Sequence, residues 1–336
     1  MKRTCILLLT ILLATLLVQP AKAEEWKVYA SYHNASKAVK TDSRIFVLAN
    51  GALFSYDTED NLVATYDKVN ALSDCGIKDI AYCSKTRQLV VLYSNGNIDL
   101  MGMNDTMFNL PDLKSKSLDD KTIYELKVVD GTALISIGNS LVQVDLAKRY
   151  FVNLYQFGSK VTNANMADGK IYAKTASGVM EGDTSTNLVD MNNWKKVATS
   201  PVSFGQTQEE KDEAAALLDK VKDIIIDSPI RNLSYRLNMQ GERLLVAGGN
   251  FYYPNVEHTG TAMAYEDGKW TAFDEEEAIE LVGARAYLNV TDVVQDPQDP
   301  SHHWLGTMRS GIYEFRDYKL AGHYSCDNSP LTSILP

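Results

Sequence analysis

The chain has 336 residues, with 43 Asp and Glu against 33 Lys and Arg and a formal net charge of −10. That excess of carboxylates argues against a nucleic-acid partner, whose phosphates would be repelled rather than neutralised. Only 4 cysteines occur, which excludes a scaffold built on disulfides.

The chain opens on a leader. Lys2-Arg3 is a basic start, Cys5 to Val18 is an apolar run, and Ala21-Lys22-Ala23 is a small-x-small cleavage site. The pattern predicts a secretory signal peptide over residues 1–23 and a mature chain over residues 24–336. No later stretch reaches the roughly 18 consecutive apolar residues of a membrane span. After cleavage three cysteines remain: Cys75 and Cys83 can pair and leave Cys326 alone, or all three are ordinary buried thiols. No CxxC or HxxxH accompanies them, so no zinc site is expected.

Beyond the leader one plan recurs: an apolar strand, a turn with Gly or Asn, and a second apolar strand. It is seen at Ser43 to Tyr56, Arg87 to Leu100, Gly131 to Val144, Gly169 to Met180, Glu242 to Tyr253 and His303 to Phe315. Further strands flank these hairpins. Those before them include "IKDIAYC" at 77–83, "IYELKVV" at 123–129 and "LNVTDVVQ" at 288–295; those after include "NLVATYD" at 61–67, "RYFVNLYQ" at 149–156, "KWTAFD" at 269–274 and "KLAGHYS" at 319–325. Four antiparallel strands in roughly 40 residues are the mark of a β-propeller blade. One such sheet has two apolar faces, and only packing beside neighbours buries both. The expectation is an all-β propeller of about six or seven four-stranded blades.

One segment breaks the strand pattern. Residues 206–226 read "QTQEEKDEAAALLDKVKDIII", with the capping box Thr207-x-x-Glu210 and an apolar stripe of Ala214, Leu217, Leu218, Val221 and Ile225. This predicts an amphipathic helical insertion whose stripe docks on the propeller or on a partner. The run Asp274-Glu-Glu-Glu277 predicts the capped start of a shorter helix, and Asp57 to Asn61 a solvated acidic turn.

The stretch Ser301 to Phe315, "SHHWLGTMRSGIYEF", holds the most conspicuous side chains. Adjacent residues on a strand face opposite ways, so His302 and His303 do not jointly hold a metal. They are expected as solvent-facing and packing histidines, with Trp304 and Tyr313 between blades. The glycines at 306 and 311, like Gly51, Gly178 and Gly248-Gly249, are expected to supply positive φ in hairpin turns. HExxH, GxSxG, the P-loop and the dinucleotide fingerprint do not occur, so no catalytic residue, metal ligand or cofactor is assigned.

Two resemblances rest on these residues. Trp304-Leu-Gly-Thr-x-x-x-Gly-Ile-Tyr, followed by Asn328-Ser-Pro-Leu-Thr-Ser-Ile, resembles the blade repeat of two-component-regulator propellers, with one extra residue between threonine and glycine. From Trp26 onward the chain resembles the PorZ family, the cell-surface propellers of the type IX secretion system in Bacteroidetes. The matching stretches are Trp26 with Ser31-Tyr32, Gly51-x-Leu53-Phe54-Ser55-Tyr56-Asp57, Leu72-Ser73-Asp74, Tyr93-Ser-Asn95-Gly-Asn97-Ile-Asp99-Leu100, Pro229-Ile-x-Asn232 and Trp270-x-x-Phe273.

That second resemblance implies a non-catalytic scaffold at the outer membrane surface. It implies partnership with anionic lipopolysaccharide or another glycan, with the sortase that attaches cargo, and with other type IX components. It also implies that residues 24–336 are the N-terminal part of a longer, multi-domain protein. The alternative expectation is the periplasmic ligand-sensing propeller of a hybrid two-component regulator. A glycan-active enzyme would need acidic side chains converging on the propeller axis.

Overall fold

The computed structural model describes residues 26–249, 258–284 and 287–332. The leader at residues 1–23 lies outside them. Among the described residues six four-stranded antiparallel sheets form, each running in chain order across its strands. Blade 1 holds β1 (Ala35–Lys40), β2 (Arg44–Ala49), β3 (Ala52–Asp57) and β4 (Val63–Tyr66); blade 2 holds β5 (Ile77–Cys83), β6 (Gln88–Tyr93), β7 (Ile98–Gly102) and β8 (Met107–Leu110). Blade 3 holds β9 (Ile123–Val129), β10 (Thr132–Ile137), β11 (Ser140–Asp145) and β12 (Tyr150–Gln156). Blade 4 holds β13 (Val161–Ala167), β14 (Lys170–Thr175), β15 (Gly178–Asp183) and β16 (Trp194–Val197). Blade 5 holds β17 (Arg236–Gln240), β18 (Arg243–Ala247), β19 (Ala262–Glu266) and β20 (Lys269–Ala272). Blade 6 holds β21 (Val290–Gln295), β22 (His302–Thr307), β23 (Ile312–Arg316) and β24 (Lys319–Tyr324).

Strand β6 shows why the sheets stack. It is buried along its whole length, and alternate side chains serve two cores. Leu89, Val91 and Tyr93 pack with Phe46, Leu48 and Leu53 of blade 1, whereas Val90 and Leu92 pack with Ile135, Val142 and Val144 of blade 3. The two-residue period of a strand sends every second side chain to one face, and here both faces are apolar. Leu134, Leu141 and Tyr155 then meet Val161, Ile171 and Trp194 between blades 3 and 4, and Leu245 and Ala264 meet Val293, Leu305 and Tyr313 between blades 5 and 6. The outer strand β4 is only four residues long, which limits sheet-edge pairing, and β24 has no buried position.

The helical insertion forms at Gln208–Val221 and not over the full 206–226. Thr207 accepts a hydrogen bond from the Glu210 amide, and the Glu210 carboxylate accepts one from the Thr207 amide. Leu217 and Val221 cover Ala38, Ile45, Val47 and Phe54, the face of blade 1 turned away from blade 2. A helix thus takes the place of a neighbouring blade there. Ile225 does not join this stripe: the helix ends before it, and its side chain is 90% exposed. A second helix, Glu275–Val282, starts at Asp274, whose side chain accepts from the Glu276 and Glu277 amides.

In blade 5 the sequence expectation fails. The partner of β18 is not the stretch after Gly248-Gly249 but β19, more than a dozen residues further on. Residues 250–253 of the expected strand lie outside the described residues. Gly248 and Gly249 do not take positive φ. They are close-approach positions: a Cβ on Gly249 would stand 2.4 Å from backbone atoms of Asn289 and Val290.

Candidate functional site

His302 and His303 are both buried, so neither is solvent-facing. His303 lies edge-on to Phe273 and stacks on Tyr318, with Nδ1 3.2 Å from the Ser301 carbonyl oxygen. Burial, and next the neighbouring Arg243, push its pKa below the ordinary imidazole value. The unfolded chain therefore takes up more protons below about pH 6.5, and stability is expected to fall as pH drops through that value. Thermal midpoints at pH 7.5 and 5.5 should differ less in His303→Phe than in the parent; equal differences would refute the assignment. His302 points the other way, with Nε2 2.9 Å from the Glu314 carboxylate and its ring against Trp304. Tyr313 lies in the core between blades 5 and 6, whereas Trp304 is half-buried on the opposite face, tilted against Tyr324.

The remaining family-like stretches converge at two places. The first is in blade 2. Asp99 on β7 is fully buried and accepts from the Ser73 amide at 2.8 Å, the Tyr93 hydroxyl at 2.5 Å and the Asn109 side-chain amide at 2.8 Å. Next to it Asp74 receives Lys114 at 2.6 Å and Asn95 at 2.7 Å. Burial pulls the Asp74 carboxyl upward, but Lys114, Asn95 and the Cys75 amide outweigh it and hold the group well below the usual carboxylate range. Burial, reinforced by Asp99, raises the Tyr93 phenol well above its usual value. "LSD" and "YSNGNID" are thus two halves of one polar lock that ties the entry of blade 2 to its central hairpin.

The second place is where the N-terminal segment crosses between blades 1 and 5. Ser31 is fully buried; its amide donates to Asn232 Oδ1 at 2.7 Å and its hydroxyl to the Ile230 carbonyl at 3.0 Å. Asn50 donates to the Ser31 hydroxyl, and Asn232 donates in turn to the Asn50 carbonyl. Beside this clasp Tyr29, Tyr265 and Trp270 form an aromatic corner with centroids 5.0 to 5.6 Å apart. The hydrogen bond to Tyr265, with burial, pushes the Tyr29 phenol up to about 12. A cavity of about 210 Å³ opens there, lined also by Lys27, Asp67 and Asp227. Rings, two carboxylates and an ammonium line this small cleft; no single stretch of sequence marked it.

Acidic side chains on the first strands of the blades are engaged locally. Asp79 pairs with Lys37 at 2.6 Å, Asp292 with Arg236 at 3.1 Å, and Glu125 accepts from Asn163 and the Ala164 amide at 2.9 Å. The acidic turn after β3 holds its own backbone: Asp57 accepts from the Glu59 amide and Asp60 from the Leu62 amide. Among the described residues no group of three or more His, Cys, Asp or Glu side chains is placed to hold a metal. Cys75, Cys83 and Cys326 are all free thiols, but only Cys83 is buried, which corrects the sequence expectation. A thiol reagent should label Cys75 and Cys326 rapidly in the native mature chain and Cys83 only on unfolding.

The architecture is that of a β-propeller whose first blade is capped by a helix. More specifically, residues 45–195, from β2 into β16, match the family model for the N-terminal β-propeller domain of PorZ of the type IX secretion system. The structure of PorZ from Porphyromonas gingivalis superposes with a TM-score of 0.79 at 22% identity, over 93% of this chain and 55% of that one. That protein is described as an essential bacterial surface component of the type IX secretion system. The chain thus spans about half of the length of that relative. The extracellular domain of a putative one-component system from B. thetaiotaomicron aligns at 11% identity and a TM-score of 0.39, over 87% of this chain and 41% of that one. The Pan2 WD40 domain of Neurospora crassa aligns at 10% identity and 0.32, over 88% and 81%. No curated protein matches the sequence.

Proposed function

We propose that this chain is part of a non-catalytic surface component of the type IX secretion system, exported through the leader at residues 1–23, that binds anionic lipopolysaccharide and assists the sortase attaching cargo to it. The observation that carries the reading is the match of blades 1 to 4 to the PorZ propeller, together with superposition over nearly the whole chain. A propeller offers a rigid face made of loops from many blades, suited to holding a large ligand without chemistry. In an acidic chain an anionic ligand needs local cations. Lys116, over the Phe151 ring, and Lys160, 4.1 Å from the Tyr124 ring centroid, lie with Lys121 on the connections entering blades 3 and 4.

Two experiments test this. Deleting the gene should leave secreted cargo unattached and unmodified; unaffected anchoring with loss of a polysaccharide response would favour the sensor alternative. Reversing the three lysines (Lys116→Glu, Lys121→Glu, Lys160→Glu) should cut retention of the purified chain on immobilised anionic lipopolysaccharide at least tenfold, given about 1 kcal/mol or more per lost cation contact. Unchanged retention would move the ligand elsewhere.

A further inference from the structure

We propose that the groove between the C-terminal half of helix Gln208–Val221 and the segment at Tyr32 is a docking site for a partner polypeptide whose apolar side chain is flanked by Lys or Arg. The groove encloses about 520 Å³; Tyr32, Phe54, Leu218, Val221 and Ile224 supply its apolar lining, and His33, Asn34 and the Asp219–Lys222 pair its polar lining. At its rim stands Ile225, 90% exposed, while its neighbours Ile224 and Ile226 pack against the blade 1 core. A β-branched apolar side chain held in water beside such a cleft is an anchor without its counterpart.

The surrounding charge selects the occupant. Residues 209–227 carry seven carboxylates and three lysines, and Asp219 at the rim is 71% exposed although paired with Lys222. A second copy of this chain would bring the same acidic helix against itself, and an anionic lipid headgroup would be repelled equally. A basic segment gains long-range attraction from the wall and burial against the apolar lining.

The purified mature chain should be titrated with a fluorescein-labelled dodecapeptide of alternating Leu and Lys, and with the matching Leu and Glu peptide. The Leu and Lys peptide should bind, more weakly as salt is raised, and the Leu and Glu peptide should not. Ile225→Ser lies on the surface and should leave folding intact while weakening binding about tenfold or more. Val189→Ser, an exposed apolar position in blade 4, should leave affinity unchanged. Equal affinity of Ile225→Ser and the parent, equal binding of the two peptides, or no binding at all would overturn the proposal. So would a dimer, seen by sedimentation, that Ile225→Ser dissociates, since the occupant would then be a second copy.

Discussion

Replacing Asp99 by alanine is expected to destabilise the fold by about 3–5 kcal/mol, read as a lower denaturation midpoint in urea. The side chain is fully buried and accepts hydrogen bonds from the Ser73 amide, the Tyr93 hydroxyl and the Asn109 amide. Alanine takes the acceptor away from the Ser73 amide and the Tyr93 hydroxyl, whereas Asn109 keeps the Asn97 side chain and the Ile98 carbonyl. Tyr93→Phe removes one donor and keeps the ring between blades 1 and 2, so its cost should be smaller, about 1–2 kcal/mol. The double variant should then fall short of the sum, because the hydroxyl has nothing to donate to once Asp99 is gone. A cost below about 1 kcal/mol for Asp99→Ala, or strict additivity, would mean that the lock around blade 2 is not what holds its entry in place.

The blades were legible because the information is local. Turn dipeptides such as Asn50-Gly51 and Asn95-Gly96 stand between apolar runs of strand length, and neighbouring strands pair antiparallel across them. The helix was equally legible from Thr207, Glu210 and its stripe. What escaped the sequence depends on contacts between distant segments. Ser31 and Asn232 stand 201 positions apart, yet share the clasp between the N-terminal segment and blade 5. The aromatic corner draws Tyr29 from that segment and Trp270 from β20, and periodicity carries no signal for such a meeting. Blade 5 misled because Gly248-Gly249 looks like a hairpin turn, whereas the glycines serve the close approach of Asn289 and Val290. Ile225 fell on the helical stripe by spacing, but spacing does not say where a helix stops.

Gly311→Ala should be far more damaging than Gly306→Ala, although both glycines belong to the same Trp-Leu-Gly-Thr-x-x-x-Gly motif. Gly311 has φ +84°, and a Cβ there would lie 2.1 Å from the Tyr324 carbonyl oxygen. Left-handed backbone and overlap with a strand that cannot retreat each cost on the order of 1–3 kcal/mol, so a total of about 3 kcal/mol or more is expected. Gly306 has no atom within 4 Å of its Cβ position and lacks positive φ, so alanine there should change stability by no more than about 0.5 kcal/mol. The physical reason for the motif lies at its threonine. Thr307 donates from its hydroxyl to the Gly311 carbonyl at 2.9 Å and accepts from the Ser310 amide, closing the turn. Blade 4 repeats the device one residue shorter: Thr175 donates to the Gly178 carbonyl at 2.8 Å and accepts from the Ser177 amide, and Gly178 has φ +128°. The threonine fixes the closing glycine in a conformation that other residues resist, whatever the number of residues between them. Thermal denaturation of the two alanine variants separates the roles; comparable losses at 306 and 311 would show that the first glycine is also required by the turn.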